Sequence, residues 1–236
     1  MRWISLVFFS LFLSGCGNTV SVPVRDRTHN IAPNYYRVQE GDTLYSISWR
    51  YHLDYKSVAA ANKITPPYTI YVGQNILLRG KKSSGVDGGT KRQASTQRKP
   101  AKTDVASSGL VIPNETLRWQ WPIEGEVVKG FSLSGTVNKG IGIKGSPGQR
   151  VNAAADGTVV YAGGNLRGYG KLVILKHNNH FLSAYGNNEE ILVREGETVS
   201  LGQSIGTLGT SSALVEILHF EIRLNGKPHD PRKYLP

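Results

Sequence analysis

Residues 150–163 read Arg150-Val-Asn-Ala-Ala-Ala-Asp-Gly-Thr-Val-Val-Tyr-Ala-Gly163, in which two short apolar runs are separated by a glycine turn. Similar runs recur through the C-terminal half, from Arg118 onward, which holds 18 of the chain's 27 glycines. They cover residues 125–130, 171–176, 181–185, 197–202 and 217–223. Many short strands bounded by turn residues are typical of antiparallel sandwiches and open barrels. We therefore predict an all-β, mainly antiparallel domain over residues 114–236.

Charge and composition limit the function classes. The 236 residues carry a net charge of +11, which favours polyanionic partners: nucleic acid, anionic lipid or anionic cell-wall polymer. Eight basic and two acidic residues lie between Arg79 and Asp104, so this stretch alone contributes +6. Because the folded parts are only mildly basic and no base-reading motif is present, we expect no nucleic-acid partner. Phosphate-binding loops, nucleophile elbows and dinucleotide fingerprints are also absent from the sequence, so we expect no cofactor.

The N-terminus contains a candidate signal and lipidation site. Residues 4–13 are mostly apolar but only about half as long as the roughly 20 residues of a membrane-spanning helix, so we predict a signal peptide over 1–15. Leu13-Ser-Gly-Cys16 resembles a bacterial lipobox, which implies that Cys16 is lipidated. Gly17 follows where some signals have Asp, which implies the periplasmic face of the outer membrane. The alternative is an ordinary buried cysteine after an uncleaved leader. A single cysteine excludes an intrachain disulfide and a Cys-based zinc site.

Three segments precede the β-rich domain. Residues 16–34 contain prolines but no hydrophobic period, which predicts a tether. Residues 35–80 predict an α+β module with the order strand, helix, helix, strand. Asp42 or Thr43 is expected to cap the first helix, Pro66-Pro67 to end the second, which covers 56–62, and the last strand to cover 70–78. Residues 81–113 are rich in Lys, Arg, Ser, Thr and Gly, which predicts a disordered basic linker.

The α+β module has the pattern Tyr36-x-Val-x-x-Gly-Asp-Thr-Leu-x-x-Ile47, then Asn62, then Val72-Gly-Gln-x-Ile-x-Leu78. This pattern resembles a LysM module over its whole length. The resemblance implies binding of glycans that contain N-acetylglucosamine, and hence of peptidoglycan, in a groove between two loops. The groove residues that it implies are Gly41, Asp42, Thr43, Asn62, Ile64, Pro66 and Tyr68. For the first three of these, turn and helix-capping chemistry alone is the alternative.

Four motifs of the β-rich domain are Asn138-Lys-Gly-Ile-Gly-Ile143, Gly168-Tyr-Gly170, Tyr185-Gly-Asn187 and Leu218-His-Phe-Glu-Ile-Arg223. They resemble a LytM domain, the fold of lysostaphin-type zinc endopeptidases that cut peptidoglycan cross-bridges. Active members bind zinc through a His-x-x-x-Asp motif and the second His of His-x-His, and two more histidines act in catalysis. The resemblance implies that four of these five positions are replaced here, by Asn138, Gly142, Asn187 and Ile217. His219 is the one that remains.

A catalytic zinc ion needs about three protein ligands, and a single imidazole does not meet that need. We therefore expect a degenerate peptidase domain with no metal and no catalytic residue. The residues expected to line its vacated groove are Asn138, Gly142, His177, Asn187, Ile217 and His219. For His177 the alternative is a partly buried strand-end histidine bonded to backbone, and for His219 it is a packed remnant.

The combination of lipoprotein signal, LysM module, basic linker and degenerate LytM domain resembles the NlpD group of murein hydrolase activators. The resemblance implies a non-catalytic activator of periplasmic N-acetylmuramoyl-L-alanine amidases, which would engage the vacated groove during cell-wall remodelling and daughter-cell separation. One alternative is a structural tether between outer membrane and peptidoglycan. Another is an active zinc endopeptidase that uses ligands such as His177 and His219 with Asp156.

Lipidation at Cys16 predicts that the mature chain begins there and fractionates with membrane. Several acyl chains, at about 0.8 kcal/mol per buried methylene, make such attachment stable. We expect Cys16→Ser to leave a larger, unlipidated precursor that is not anchored through acyl chains, as measured by intact mass and cell fractionation. Unchanged mass and unchanged fractionation would contradict the lipobox interpretation.

Overall fold

The computed structural model describes residues 32–79, 117–209 and 216–236. The predicted signal peptide, Cys16, most of the tether and the predicted linker lie outside these residues. In the part of the chain that is described, no helix is both long and apolar enough to cross a membrane. The described residues form a small N-terminal module and a β-rich C-terminal domain, and the two are in contact.

The N-terminal module has the predicted order of elements. These are β1 (Tyr35–Arg37), α1 (Leu44–Arg50), α2 (Tyr55–Asn62) and β2 (Asn75–Leu77). β1 and β2 pair antiparallel, with Tyr36 opposite Ile76. Leu44 and Ile47 of α1 and Val58 of α2 are buried with Ile76 in one core. The strand–helix–helix–strand prediction is therefore confirmed.

Capping and backbone conformation set the helix ends. The Thr43 hydroxyl accepts a hydrogen bond from the Ser46 amide at 3.0 Å, and the Ser46 hydroxyl accepts one from the Thr43 amide at 2.9 Å. This reciprocal capping box starts α1, as predicted for Thr43. α2 ends at Asn62 because Lys63 adopts a left-handed conformation with φ of 56°. The prediction that Pro66-Pro67 ends α2 is therefore wrong, and β2 is shorter than the predicted strand over 70–78.

The C-terminal domain is one branched antiparallel sheet. Over residues 117–209 and 216–236 its strands are β3 (Val127–Lys129), β4 (Ile141–Lys144), β5 (Arg150–Asn152), β6 (Gly157–Gly163), β7 (Lys171–Lys176), β8 (Phe181–Ile191), β9 (Thr198–Val199), β10 (Ser204–Leu208), β11 (Ile217–Leu224) and β12 (Lys227–His229). Their main order is β3-β4-β11-β8-β7-β6-β9, while β10 pairs with β5 and β8, and β12 pairs with β11. Each pairing is antiparallel, which confirms the predicted class.

The sheet is buried on both faces at β7. Val173 and Leu175 enter the main core of the domain, while Leu172 and Ile174 enter a second apolar cluster. All four side chains are completely buried. The second cluster also contains Tyr45, Trp49 and Tyr55 of the N-terminal module. A strand covered on both faces is typically apolar without alternation, as residues 172–175 are. The N-terminal module thus supplies the cover for one face of the C-terminal sheet.

Polar contacts fix the position of the N-terminal module on the sheet. The Thr43 hydroxyl donates to the Val160 carbonyl at 3.1 Å. At the centre of the contact, Arg223 Nη1 donates to the Trp49 carbonyl at 2.9 Å, and its guanidinium lies 3.5 Å from the centroid of the Trp49 ring. Arg223 also forms an ion pair with Glu221 at 2.9 Å, and both side chains are 1% exposed.

Removal of one member of this ion pair should be strongly destabilising. We expect Arg223→Met to lower the free energy of unfolding by about 3–5 kcal/mol, because Glu221 is left as an unpaired buried charge. The double variant Glu221→Gln/Arg223→Met removes both charges, so its loss should be smaller than the sum of the single losses. Urea denaturation of the three variants measures these differences. Losses that simply add would contradict the coupling.

Candidate functional site

A groove lies where β4, β11 and two loops meet. His219 of β11 is paired with Gly142 of β4 on one side and with Gly186 of β8 on the other. The cavity above them has a volume of about 310 Å³. It is lined by Val137, Asn138, Lys139, Gly168, Tyr169, His219 and Glu221. Asn138 and His219, which the LytM resemblance assigns to the predicted groove, are among these residues.

The side chains of this groove do not fit a catalytic zinc ion. A Cβ atom at position 142 would lie 2.9 Å from Cγ2 of Ile217 and 2.9 Å from Cβ of Lys129, so an aspartate there would displace its neighbours. Asn187 donates its Nδ2 to the Ile217 carbonyl at 2.9 Å. His219 is the remaining imidazole of the predicted motif. Among the described residues, no three His, Cys, Asp or Glu side chains are grouped so that they could hold a metal ion.

The floor of the groove is a buried charge network. The Tyr169 hydroxyl donates to Glu221 Oε1 at 2.9 Å, and His219 Nε2 lies 2.9 Å from the same oxygen. Burial alone would raise the pKa of Glu221, but Arg223 and the hydrogen bonds from His219 and Tyr169 outweigh it and hold that pKa well below its usual range. Glu221 is therefore an ionised carboxylate whose charge is balanced by Arg223.

The groove continues onto the N-terminal module. Lys139 and Tyr169 also line a neighbouring cavity of about 340 Å³, together with Arg50, Tyr51 and His52. Lys139 Nζ contacts Nε2 of His52. Burial and the charge of Arg223 lower the pKa of His52 to about 4, so its imidazole is neutral at pH 7 and can accept from the lysine. Both folded parts of the chain therefore form this end of the groove.

Only two of the predicted groove residues line the cavity. Asn138 and His219 do so, whereas Gly142, Asn187 and Ile217 do not. Ile217 is 8% exposed and fills the space above Gly142. Sequence reasoning missed Glu221, although side chains at i and i+2 share one face of a strand and His219 was already predicted on that strand.

His177 is a structural residue, and this corrects its predicted place in the groove. Its side chain is 2% exposed. Its Nδ1 lies 2.7 Å from the Asp156 carbonyl oxygen, and its Nε2 lies 2.7 Å from the Ser183 hydroxyl. Trp119 packs edge-on against the ring, with centroids 4.8 Å apart. Both ring nitrogens are thus used inside the fold, which leaves none for a metal or a partner.

The predicted glycan residues also separate into two groups. Asp42, Thr43, Pro66 and Tyr68 line a cavity of about 480 Å³. Gly41, Asn62 and Ile64 do not line it. The Asn62 amide instead bonds the backbone of Leu77 in both directions, at 2.8 and 2.7 Å, and Ile64 packs against the core of the module. Asn62 and Ile64 therefore stabilise the module, which corrects their predicted place in the groove.

Asp42 lies at this cavity but directs its carboxylate into the module. That carboxylate is 2% exposed and accepts hydrogen bonds from the Tyr36 hydroxyl at 2.7 Å and from Arg50 at 3.3 Å. The Thr43 hydroxyl is engaged in the capping box and with Val160. The turn and capping alternative therefore describes both side chains in this structure.

Two family descriptions match the chain. Peptidase family M23 matches residues 136–231, and the LysM domain matches residues 36–79. The chain thus combines a LysM domain with an M23-type domain.

Relatives extend over both parts. A Pseudomonas aeruginosa protein named "Lipoprotein NlpD/LppB homolog" is 44% identical, over 92% of this chain and 82% of its own length. The Escherichia coli lipoprotein YgeR is 37% identical over 99% of this chain and 92% of its own length. The Escherichia coli "Murein hydrolase activator NlpD" is 36% identical over 85% of this chain and 67% of its own length. The chain belongs to the NlpD/LppB lipoprotein family.

Burial of His177 predicts a pH dependence of stability. Burial lowers the pKa of His177 from 6.5 to about 4, so the unfolded chain binds this proton more readily than the folded chain between these values. The free energy of unfolding should therefore fall as the pH falls from about 6.5 to 4. His177→Gln should lower stability at pH 7 by about 1–3 kcal/mol, through lost buried hydrogen bonds, and should weaken this pH dependence. Urea denaturation at pH 7, 5.5 and 4 tests this, and equal pH slopes would contradict it.

Proposed function

We propose that this protein is a non-catalytic activator of periplasmic N-acetylmuramoyl-L-alanine amidases, which it binds through the groove around Asn138 and His219. The observation that carries the proposal is the packing around Gly142. Ile217 and Lys129 occupy the space that a zinc-binding side chain at this position would need. The groove remains concave while its hydrolytic groups are replaced. The name of the NlpD relative, murein hydrolase activator, supports the same function.

The groove has the properties of a peptide-binding surface. Val137 is 39% exposed at its edge, and Lys139 and His219 present polar atoms beside it. A small number of polar groups in a largely preformed concavity is the common pattern of a binding site. The charge of the buried Glu221 is balanced by Arg223, so the groove need not bind a cation to compensate it.

Activation follows if the protein binds the active conformation of the amidase more tightly than the inactive one. The difference between the two binding free energies is the free energy available to shift the amidase equilibrium. A tenfold difference in affinity corresponds to about 1.4 kcal/mol. No chemistry by the activator itself is needed.

In this proposal the amidase acts where the activator is held. The LysM match supports peptidoglycan binding, and the lipobox around Cys16, with the lipoprotein names of the relatives, supports anchoring at the periplasmic face of the outer membrane. A purely structural tether would use both anchors but would leave the groove without a function. An active zinc peptidase would need ligands other than His177, whose two ring nitrogens are bonded inside the fold.

Matched aspartate substitutions test the groove in the full chain. Val137 lines the cavity, whereas Val128, which is 42% exposed on β3, does not line it. We expect the wild-type protein to stimulate a cognate amidase without digesting peptidoglycan alone. Val137→Asp should reduce this stimulation at least tenfold, because a charge is introduced into the interface, and Val128→Asp should leave it unchanged. Both variants should keep the wild-type thermal melt.

Dye release from labelled peptidoglycan, with and without amidase, measures these effects. Full stimulation by a folded Val137→Asp protein would place the interface elsewhere. Zinc-dependent digestion by the wild-type protein alone would overturn the activator proposal and favour an enzyme. Absence of stimulation, together with retained peptidoglycan binding, would favour the tether.

A further inference from the structure

A second cavity lies between the two folded parts, and each contributes one wall. The wall from the N-terminal module contains Thr43, Tyr45, Pro66, Pro67 and Tyr68, and the wall from the C-terminal domain contains Thr158, Val160, Lys176 and Glu195. The volume of about 480 Å³ is within the usual range for small-molecule sites.

The two walls differ in chemistry. Tyr45 and Tyr68 meet edge-on with centroids 6.0 Å apart, and with the prolines they give a largely apolar, aromatic surface. Two polar side chains of this wall are already used, since Asp42 bonds Tyr36 and Arg50 and the Thr43 hydroxyl bonds Val160. The N-terminal wall therefore offers stacking faces and few free polar groups.

The C-terminal wall carries the polar groups that can still bind a ligand. Lys176, at the end of β7, is half-buried, and no carboxylate of the described residues forms an ion pair with it. Glu195 lies at the rim, where its Oε1 accepts a hydrogen bond from the Ala162 amide at 3.2 Å. Its Oε2 has no hydrogen-bond donor within residues 32–79, 117–209 and 216–236. A partly desolvated ammonium without a counter-ion is unfavourable unless a ligand oxygen solvates it.

We propose that this cavity is the glycan site, and that Lys176 and Glu195 of the C-terminal domain supply its ligand-contacting polar groups. An N-acetylated saccharide fits both walls. Its ring C–H faces can pack on Tyr45 and Tyr68, its hydroxyl or carbonyl oxygens can accept from Lys176, and its hydroxyl or amide hydrogens can be donated to Glu195. The inference depends on the peptidoglycan binding included in the proposed function, and it assigns that binding to both domains rather than to the LysM domain alone.

A site shared in this way couples glycan binding to the contact between the domains. A ligand that binds only when both walls are in place stabilises the docked arrangement by mass action. Since Lys139 of the amidase groove contacts His52 of the N-terminal module, the same docked arrangement also shapes that groove. Bound glycan would thus favour the arrangement in which both cavities are complete.

The test measures binding of a β-1,4-linked N-acetylglucosamine tetramer to the full chain by calorimetry. Lys176→Gln and Glu195→Gln should each raise the dissociation constant about tenfold, through loss of a hydrogen bond to a charged group. Lys144→Gln and Glu190→Gln are matched controls, because both residues are exposed in the C-terminal domain and do not line the cavity. Both controls should bind as the wild type does.

A bulky residue on the C-terminal wall provides a second test. Thr158→Trp should occupy part of the cavity and abolish binding if the sugar lies between the walls. Wild-type affinity in folded Lys176→Gln, Glu195→Gln and Thr158→Trp proteins would overturn the shared site. Stronger binding by Thr158→Trp would also overturn it, because the C-terminal wall would then be blocking the groove rather than completing it.

The amidase assay on the same proteins separates this inference from the proposed activity. Unaltered sugar binding by the variants, with normal stimulation by the wild type, overturns the shared site and leaves activation intact. If the variants bind the sugar more weakly but the wild-type protein does not stimulate the amidase, the shared site is supported and the proposed activation is wrong. If the wild-type protein does not bind the tetramer, the inference is overturned. If Lys176→Gln then also weakens binding of the amidase, the cavity is a site for a protein partner.

Discussion

The ion pair between Glu221 and Arg223 is the interaction on which the arrangement of the other parts depends. Two charges buried this deeply are tolerated only when each is paired and hydrogen-bonded. Glu221 meets this condition with His219 and Tyr169 from the groove, and Arg223 meets it with the carbonyl and ring of Trp49. One strand therefore connects the floor of the groove to the N-terminal module through two buried side chains on the same face of the strand.

Position 142 is one reason why the groove does not fit a zinc ion in this structure. In this sheet Gly142 lies beside His219, and the side chains of Ile217 and Lys129 close over it. An aspartate placed at position 142 without changes at Ile217 and Lys129 would therefore clash with them. The groove is a concave surface whose buried carboxylate is paired with Arg223, and the proposed function depends on its shape rather than on catalysis.

Local patterns predicted most of the fold. The order of elements in the N-terminal module and the antiparallel class of the C-terminal domain followed from turn residues, capping residues and short apolar runs. His177 could not be placed in this way, because its burial depends on Trp119, which is remote in sequence. Asn62 was assigned to the glycan groove, but its amide pairs with Leu77, fifteen residues away. The unbroken apolar run of β7 indicates that both faces of the sheet are covered. It does not indicate what covers them, because the covering residues of the N-terminal module lie more than a hundred residues earlier in the chain.

The apolar outer face of β7 also constrains how such a protein can change over time. LysM domains are modular in sequence, and a linker of the predicted kind would let one be exchanged for another. Here the module has a second role, because Tyr45, Trp49 and Tyr55 cover Leu172 and Ile174. A module that replaced this one would need the same aromatic surface as well as a LysM fold. Recombination between the two halves would therefore preserve the contact only when the module and the C-terminal domain have matching surfaces.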